Sequence, residues 1–368
     1  MNLELWGWNE RWQQKLAALG APEFVPARVL SENMGIYALT DGTVTWTAEV
    51  AGRLRHHARD RQELPAVGDW AAISAPPGNG RAIIHAVLPR SSCFVRKRPG
   101  TGTSEAQVLA ANIDISFLFT ALDGDFSVRR IERYLALAWE SGAMPVILLN
   151  KADLCPNAGE RVADVLAYAP GAPVIAISGL TGQGLNELAP YLQPGRTVAF
   201  LGSSGVGKST LVNALMGTAV QRVQQVMAAD QRGRHTTTQR NLFQLPNGAL
   251  VLDTPGLREL QLVGADSGIS AAFADIEELA ESCRFRNCSH RGEPGCAIRQ
   301  AIEDGTISPD RYESYCKLQR EAAHVARRQD MRQHMEFARR MRLANKGSSK
   351  SKKWDLSVSL NTDAHGGY

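Results

Sequence analysis

The stretch Gly202-Ser203-Ser204-Gly205-Val206-Gly207-Lys208-Ser209 follows an apolar run, Val198 to Leu201, and opens a helical pattern. This is the P-loop pattern in the strand, loop and helix context that it requires. Glycines let the backbone wrap a phosphate chain so that its N–H groups point inward, and Lys208 brings a positive charge to the β- and γ-phosphates. Ser209 would offer its hydroxyl to Mg²⁺, with Thr210 beside it. The segment predicts a nucleoside triphosphate site.

Apolar strands and helices alternate around this loop. Ile113 to Ala121 and Pro145 to Leu149 are continuous apolar runs of the kind buried in parallel sheets, and the amphipathic stretch Val128 to Ser141 separates them. The alternation continues to the end of the helix that follows the P-loop. We therefore predict a doubly wound α/β domain over residues 93–264.

A second phosphate motif, Asp253-Thr254-Pro255-Gly256, follows the apolar run Ala249 to Leu252. Its carboxylate would emerge at the end of a strand, beside Gly256, whose N–H can reach a γ-phosphate. Between the two motifs lies His235-Thr236-Thr237-Thr238, where Thr237 could complete the Mg²⁺ shell. Considered alone, a threonine triplet is more often the edge of a β-prone loop.

The segment Asn150-Lys151-Ala152-Asp153 directly follows an apolar run and predicts base recognition. An aspartate here can accept hydrogen bonds from the N1–H and the exocyclic amine of guanine, a donor pair that adenine lacks. Asn150 and the stem of Lys151 would frame the base, and Ser178 lies in a further loop that would cover the guanine edge. The pattern favours GTP over ATP.

The order of these motifs is unusual. In ordinary GTPases the phosphate loop precedes the guanine motif, whereas here Asn150 and Ser178 precede Gly202. A sheet tolerates such a circular permutation when the original chain ends lie close together, because the neighbours of each strand are unchanged. We therefore expect one nucleotide pocket built from loops in permuted order.

Short β-type runs separated by turn residues extend from about Pro26 to Arg90. They predict a small barrel over residues 25–92, preceded by an N-terminal extension, 1–24. An oligonucleotide-binding (OB) fold is one candidate, and a solvated loop on an SH3-like or other small barrel is equally compatible. Basic side chains would form a strand and loop beside the barrel; they are Arg53, Arg55, His56, His57, Arg59 and Arg61.

Three cysteines and a histidine cluster late in the chain: Cys283, Cys288, His290 and Cys296. Four ligands of this softness favour one structural, tetrahedral Zn²⁺ with no open position. The alternative is reduced cysteines without metal, as we expect for Cys93, Cys155 and Cys316. We predict a mostly helical zinc-binding domain over residues 265–346.

The net charge of +4 is mild, so affinity for nucleic acid should come from local basic patches. Arg284, Arg286 and Arg291 surround the cysteines, and residues 317–353 hold twelve Lys/Arg against three acidic residues. Such an excess suits ribosomal RNA phosphates, although a solvated basic helix face is the usual alternative.

The composition of residues 347–368 predicts a disordered basic tail. Without a signal peptide or membrane-length apolar run, we expect a cytoplasmic protein, and we expect a monomer.

The combination of barrel, permuted guanine and phosphate motifs and Cys/His cluster resembles the RsgA (YjeQ/YloQ) family of circularly permuted GTPases, over about residues 25–345. The resemblance implies GTP hydrolysis stimulated by the 30S subunit and a role in late maturation of the small ribosomal subunit. It also implies an OB-fold barrel, a C-terminal zinc module and contact with 16S rRNA. The expected ligands are GTP or GDP together with Mg²⁺.

Lys208 and Asp253 are the predicted catalytic residues within this resemblance. The family is similar to GTPases that replace the usual water-positioning glutamine with an apolar residue, and here Leu257 follows Gly256. Because leucine cannot orient water, we hypothesise that His235 supplies the polar group. The alternative is that His235 only packs its loop or touches RNA.

Two other functions compete with hydrolysis. The chain could be a non-enzymatic RNA-binding module in which GTP is only a structural ligand, but Lys208, Ser209 and Asp253 favour turnover. A P-loop enzyme that modifies RNA would need a catalytic base cluster or a second cofactor motif, and the sequence shows neither.

Overall fold

Five strands close into a small barrel in the structure, a computed structural model that describes residues 2–58, 60–75, 80–97, 106–124, 126–169, 171–217, 240–253 and 265–327. The strands are β1 Val25–Asn33, β2 Ile36–Thr40, β3 Thr45–Val50, β4 Trp70–Ser74 and β5 Ala82–Val87. Their closed order is β1-β2-β3-β5-β4-β1, with only β3 and β5 parallel. A five-stranded barrel with this Greek-key order is an OB fold, which confirms that prediction.

The basic segment after β3 is not a strand. It folds into helix α2, Gly52–His57, in which Leu54 packs against the barrel core while the basic side chains are exposed. One apolar residue among polar neighbours lacks the alternation that a half-buried strand needs, so the predicted basic strand was wrong. Arg61 lies in a single 3-10 turn, Arg61–Glu63, and Arg59 lies outside the described residues.

The N-terminal segment packs against the barrel. It contains a 3-10 helix, Leu3–Trp6, and helix α1, Glu10–Ala17, which begins after Asn9. Trp12 is 5% exposed and packs with the fully buried Trp70, which Trp8 also meets edge-on at 4.7 Å between ring centroids. Burial of these large rings fixes the segment to the barrel.

A parallel sheet follows the barrel through a hairpin. The hairpin strands are β6 Cys93–Lys97 and β7 Ala106–Ala111, and the sheet strands are β8 Ile115–Ala121, β9 Met144–Asn150, β10 Val174–Ala176, β11 Thr197–Gly202, β12 Asn241–Gln244 and β13 Leu250–Asp253. The helices are α3 Val128–Ser141, α4 Ala158–Tyr168 and α5 Lys208–Met216. The sheet order is β10-β9-β8-β11-β13-β12, with β12 antiparallel.

The position of β11 confirms the permuted α/β fold. This strand, which leads into the P-loop, lies at the centre of the sheet between β8 and β13. The strands that precede β11 in the sequence lie on one side of it, and those that follow lie on the other. The carboxyl ends of all five parallel strands therefore meet at one edge, where open α/β sheets bind ligands.

A buried arginine joins the barrel to this sheet. Arg28 of β1 donates to the carbonyl of Asn112 at 3.2 Å and to the Thr197 hydroxyl, at the start of β11, at 3.0 Å. Burial lowers the pKa of Arg28 to about 10, against the opposing effect of the Asp114 and Asp69 carboxylates. The guanidinium therefore stays charged at neutral pH. It links strand β1 of the barrel to the start of strand β11 of the sheet.

The C-terminal part of the described chain is helical. Its helices are α6 Asp266–Ala272, α7 Ala274–Glu281, α8 Ala297–Glu303 and α9, residues 309–327. The Ser308 hydroxyl accepts from the Arg311 N–H at 3.2 Å and so caps the start of α9. Residues 328–346 of the predicted zinc-binding domain and the predicted tail, 347–368, lie outside the described residues. The predicted domain limits stay predictions. Within the described ranges, no helix is long and apolar enough to cross a membrane.

Helix α9 is fastened to α3 by charge. Arg311 donates to Glu132 of α3 at 2.9 Å, and both side chains are at most 3% exposed. The same guanidinium makes a bidentate pair with Asp275 of α7 at 2.6 and 2.7 Å. Arg133 of α3 also makes two hydrogen bonds with Glu321 of α9. Because Arg311 also donates to the Tyr168 carbonyl at the end of α4 at 3.0 Å, the helical module is attached to the sheet through both α3 and α4.

Replacement of Arg311 tests this attachment. Arg311→Ala leaves the Glu132 carboxylate buried without its partner, which should cost about 3–5 kcal/mol of unfolding free energy. Urea denaturation followed by circular dichroism measures the loss. Arg161→Ala, which removes an exposed pair with Asp164 on α4, is the control and should change the value by less than about 0.5 kcal/mol. Equal effects of the two variants would contradict this account.

Candidate nucleotide site and metal centre

The P-loop joins the buried strand β11 to helix α5. Gly207, which precedes the helix, has a φ of +97°, and a Cβ there would lie 2.2 Å from the Asn150 amide nitrogen. Only glycine suits this left-handed conformation and close approach. The Lys208 ammonium donates to the carbonyls of Gly202 and Ser203, both at 2.6 Å. The loop thus combines a helix N-terminus with a fixed cation, which suits an anion.

Asn150 connects three loops. Its amide nitrogen donates to the Val206 carbonyl in the P-loop at 2.7 Å, and its amide oxygen accepts from the Gly179 N–H at 3.0 Å. The side chain is 3% exposed. The segments predicted to bind phosphate, base and guanine edge, which are far apart in the sequence, therefore meet around one residue.

The loop predicted to cover the guanine edge is held in place by its own hydrogen bonds. The buried Ser178 accepts from the Thr181 N–H at 3.1 Å through its hydroxyl, and Ala152 N–H donates to the Ile177 carbonyl at 3.0 Å. A Cβ at Gly179 would lie 3.2 Å from the backbone nitrogen of Leu211 in α5. This glycine permits the loop to lie directly against the P-loop helix.

Lys151 has a φ of +65° and pairs with Asp123, which follows strand β8, at 2.7 Å. Both side chains are about one third exposed, so the pair orients the lysine stem more than it stabilises the fold. Asp153 is exposed in the 3-10 turn that follows, Ala152–Leu154, where its carboxylate is open to a ligand. Sequence analysis missed Asp123, although its place directly after an apolar strand was a usable signal.

Asp253 ends strand β13, which pairs in parallel with β11, so the carboxylate lies on the same sheet edge as the P-loop. Its side chain is exposed. Ser209, the other predicted Mg²⁺ ligand in the described chain, is exposed in the first turn of α5. Four further residues predicted for this end of the site lie outside the described residues: His235, Thr237, Gly256 and Leu257.

Arg130 is a second residue that sequence analysis missed. It lies in the first turn of α3 and donates to the Ser203 hydroxyl in the P-loop at 3.0 Å. Helix α3 follows β8, the neighbour of β11, so its first turn lies at the ligand-binding edge of the sheet. The signal available in the sequence was a basic residue in a helix that opens just after an apolar strand.

The four predicted metal ligands come together in the helical module. Their ligand atoms all lie within 4.8 Å of one another, and the His290 Nδ1 is 3.6 Å from the Cys283 sulfur and 3.5 Å from the Cys296 sulfur. A tetrahedral site with zinc–sulfur bonds of about 2.3 Å and zinc–nitrogen bonds of about 2.0 Å separates such atoms by roughly 3.5 Å. The donor set and its spacing therefore suit one metal ion.

The backbone near the cluster favours a thiolate. Burial raises the pKa of the Cys283 thiol, but N–H groups of Ala297 and Ile298 and the neighbouring thiols together lower it below its ordinary value. These N–H groups belong to the first turn of α8, directly after Cys296. The positive end of a helix thus faces the sulfur, as a metal-binding thiolate requires.

Comparison with known proteins agrees with this geometry. A family model described as RsgA GTPase matches residues 87–263. A relative from Opitutus terrae, named small ribosomal subunit biogenesis GTPase RsgA, is 49% identical over 90% of this chain and 92% of its own length. The chain belongs to the RsgA GTPase family. The predictions of a GTP hydrolase and of a member of this family are therefore confirmed.

Solved structures of RsgA-type proteins share the fold. The crystal structure of YjeQ from Thermotoga maritima covers 82% of this RsgA-family chain and 99% of its own, with 26% identity and a TM-score of 0.61. YloQ, described as a circularly permuted GTPase, covers 83% and 96% with 24% identity and a TM-score of 0.59. At these shares of both chains, the likeness is not confined to the sheet and extends over most of the chain.

Asn150 provides a direct test of the nucleotide site. Asn150→Ala leaves the buried Val206 carbonyl and Gly179 N–H unpaired, each at a cost of about 1–3 kcal/mol. We expect GDP affinity, measured by titration of a fluorescent GDP analogue, to fall at least tenfold. Asn157→Ala, which removes an exposed amide at the start of α4, is the matched control and should leave the affinity within twofold. An unchanged affinity in Asn150→Ala would show that the three loops do not share one ligand.

Proposed function

We propose that this chain hydrolyses GTP as a late assembly factor of the small ribosomal subunit and that the 30S subunit stimulates its turnover. The observation that carries the proposal is the Asn150 amide, which joins the guanine segment to the P-loop through Val206. Membership in the RsgA GTPase family supports the ribosomal role, since relatives of this chain are named small ribosomal subunit biogenesis GTPase. A non-enzymatic module with GTP as a structural ligand is the weaker alternative.

Each part of GTP has candidate partners. The base would be bound by Asn150, Lys151, Ala152, Asp153 and Ser178. The phosphates would be bound by Gly202, Ser203, Ser204, Gly205, Val206, Gly207, Lys208, Ser209 and Thr210, with Asp253 and Gly256 at the γ end. Ser209 and Thr237 would hold Mg²⁺, which helps to neutralise the phosphate charge.

Catalysis in this site would be mainly positioning and charge stabilisation. Lys208 would stabilise the negative charge that develops on the β–γ bridging oxygen as its bond to the γ-phosphorus breaks, and Asp253 would orient the water shell of the ion. We propose that His235 positions the attacking water. Lys208 and Asp253 belong to elements at the same sheet edge, whereas His235 lies outside the described residues.

The metal centre carries the proposed RNA-facing surface. Arg284, Arg286 and Arg291 are exposed around the cluster, and the Arg284 guanidinium lies 5.5 Å from the centroid of the 41% exposed Phe285 ring. An exposed ring beside guanidinium groups can stack on an unpaired base while the cations contact phosphates. We infer that this loop touches 16S rRNA in the cytoplasm, and that the chain acts as a monomer.

We infer that the ion at the cluster is Zn²⁺, because three thiolates and one imidazole in a closed tetrahedral arrangement select it. Elemental analysis of the purified protein should give one zinc per chain. Cys296→Ser should lower that ratio well below one, whereas Cys155→Ser, which lies outside the cluster, should leave it unchanged. Purified protein without stoichiometric zinc would refute this assignment.

GTP turnover with purified ribosomal particles tests the proposed function. We expect 30S subunits to raise the rate of the full-length protein at least tenfold, and 50S subunits to have little effect. Lys208→Ala, assayed beside the wild type, should abolish the stimulated rate because the β- and γ-phosphates lose their cation. The stimulation should also weaken as salt rises, since contacts with RNA phosphates release counterions. Equal rates with and without 30S subunits would contradict the proposed role in small-subunit assembly and would indicate a GTPase that acts in another process.

A further inference from the structure

The first turn of α3 has an unusual charge. It carries Arg129 and Arg130 and contains no acidic residue, although a helix N-terminus is positive and normally favours acidic side chains. Arg129 meets Asp310 and Glu313 of α9 at 3.1 and 2.7 Å, so its charge serves the attachment of the helical module. Arg130 lies on the other side, against the P-loop. An anion bound beside Arg130 would offset the positive charge of its guanidinium and the positive end of the α3 dipole.

Two cations converge on one residue of the P-loop. The Lys208 ammonium donates to the Ser203 carbonyl at 2.6 Å, and the Arg130 guanidinium donates to the Ser203 hydroxyl at 3.0 Å. The P-loop lysine reaches the β- and γ-phosphates of a bound nucleotide. Because Ser203 contacts that lysine, it lies at the β,γ end of the loop, and Arg130 lies there too.

We propose that Arg130 is a further phosphate-binding residue of the GTP site, an arginine supplied from within the chain that contacts the γ-phosphoryl group during hydrolysis. This inference deepens the proposed nucleotide site and rests on it. A triphosphate carries more negative charge than one lysine and one Mg²⁺ neutralise, and a guanidinium can donate two hydrogen bonds to phosphoryl oxygens at once. In other GTPases an arginine at this end accelerates hydrolysis about 10³–10⁵-fold.

The helix that carries Arg130 is held firmly enough for this role. Ile131, Tyr134 and Leu135 of α3 are buried in the core, and Glu132 and Arg133 are fastened to α9. The guanidinium is half-buried rather than free in solvent. A group on such a rigid element can act on a phosphoryl oxygen without a large loss of side-chain entropy.

Single-turnover hydrolysis of GTP by the full-length protein, without ribosomal particles, tests the proposal. Arg130→Ala should lower the rate at saturating GTP at least tenfold and keep GDP affinity within threefold, because GDP lacks the γ-phosphoryl group. Millimolar guanidinium chloride, well below denaturing concentration, should restore part of the rate in this variant and leave the wild type unchanged. Arg129→Ala removes the same charge from the same turn and should stay within twofold of the wild-type rate.

Ser203→Ala separates contact with phosphate from support of the loop. This variant removes the hydroxyl that Arg130 contacts but keeps the backbone N–H groups, so its rate should fall less than that of Arg130→Ala. A rate loss below tenfold in Arg130→Ala, an equal loss in Ser203→Ala, or a tenfold loss of GDP affinity in Arg130→Ala would overturn the proposal. If Lys208→Ala and Asn150→Ala also leave nucleotide affinity unchanged, the nucleotide site itself is wrong, which is a different failure.

Discussion

The structure of this site depends on the buried amide of Asn150. One side chain donates to the Val206 carbonyl and accepts from the Gly179 N–H, so it uses a donor and an acceptor on different loops at the same time. An aspartate could not donate, and an apolar residue could do neither. Because buried polar groups left unpaired cost more than a typical hydrogen bond contributes, the three loops keep this arrangement together. The order in which the chain visits the loops is irrelevant to that contact.

The permutation has a mechanical consequence. The P-loop now lies in the middle of the chain, with the barrel before it and the helical module after it. Arg28 ties β1 of the barrel to Thr197 at the start of the P-loop strand, while Arg311 ties the module to α3. Both flanking modules are therefore attached to elements that lead directly into the nucleotide site.

The sequence predicted the local features well and the distant contacts poorly. The limits of α3 and the clustering of the four predicted metal ligands agree with the pattern, because helical periodicity and ligand spacing are local properties. The contacts of Asp123 and Arg130 depend on which strand ends lie side by side, and composition does not show this. The same holds for the single pairing of Ser31 with Asn241, which joins barrel and sheet. The exposed helix α2 was misjudged because it has only one apolar residue to mark its period.

The helical module could not be stable on helix propensity alone. Helices α6, α7 and α8 have seven, eight and seven residues, well below the length at which an isolated helix persists in water. An ion at the cluster would compensate, because Cys283 follows α7 and Cys296 precedes α8, so that one ion would hold both helix ends. The buried Arg311 network then fixes the module to α3. Since the exposed arginines lie between Cys283 and Cys296, an ion at the cluster would also fix the surface that we propose to meet RNA.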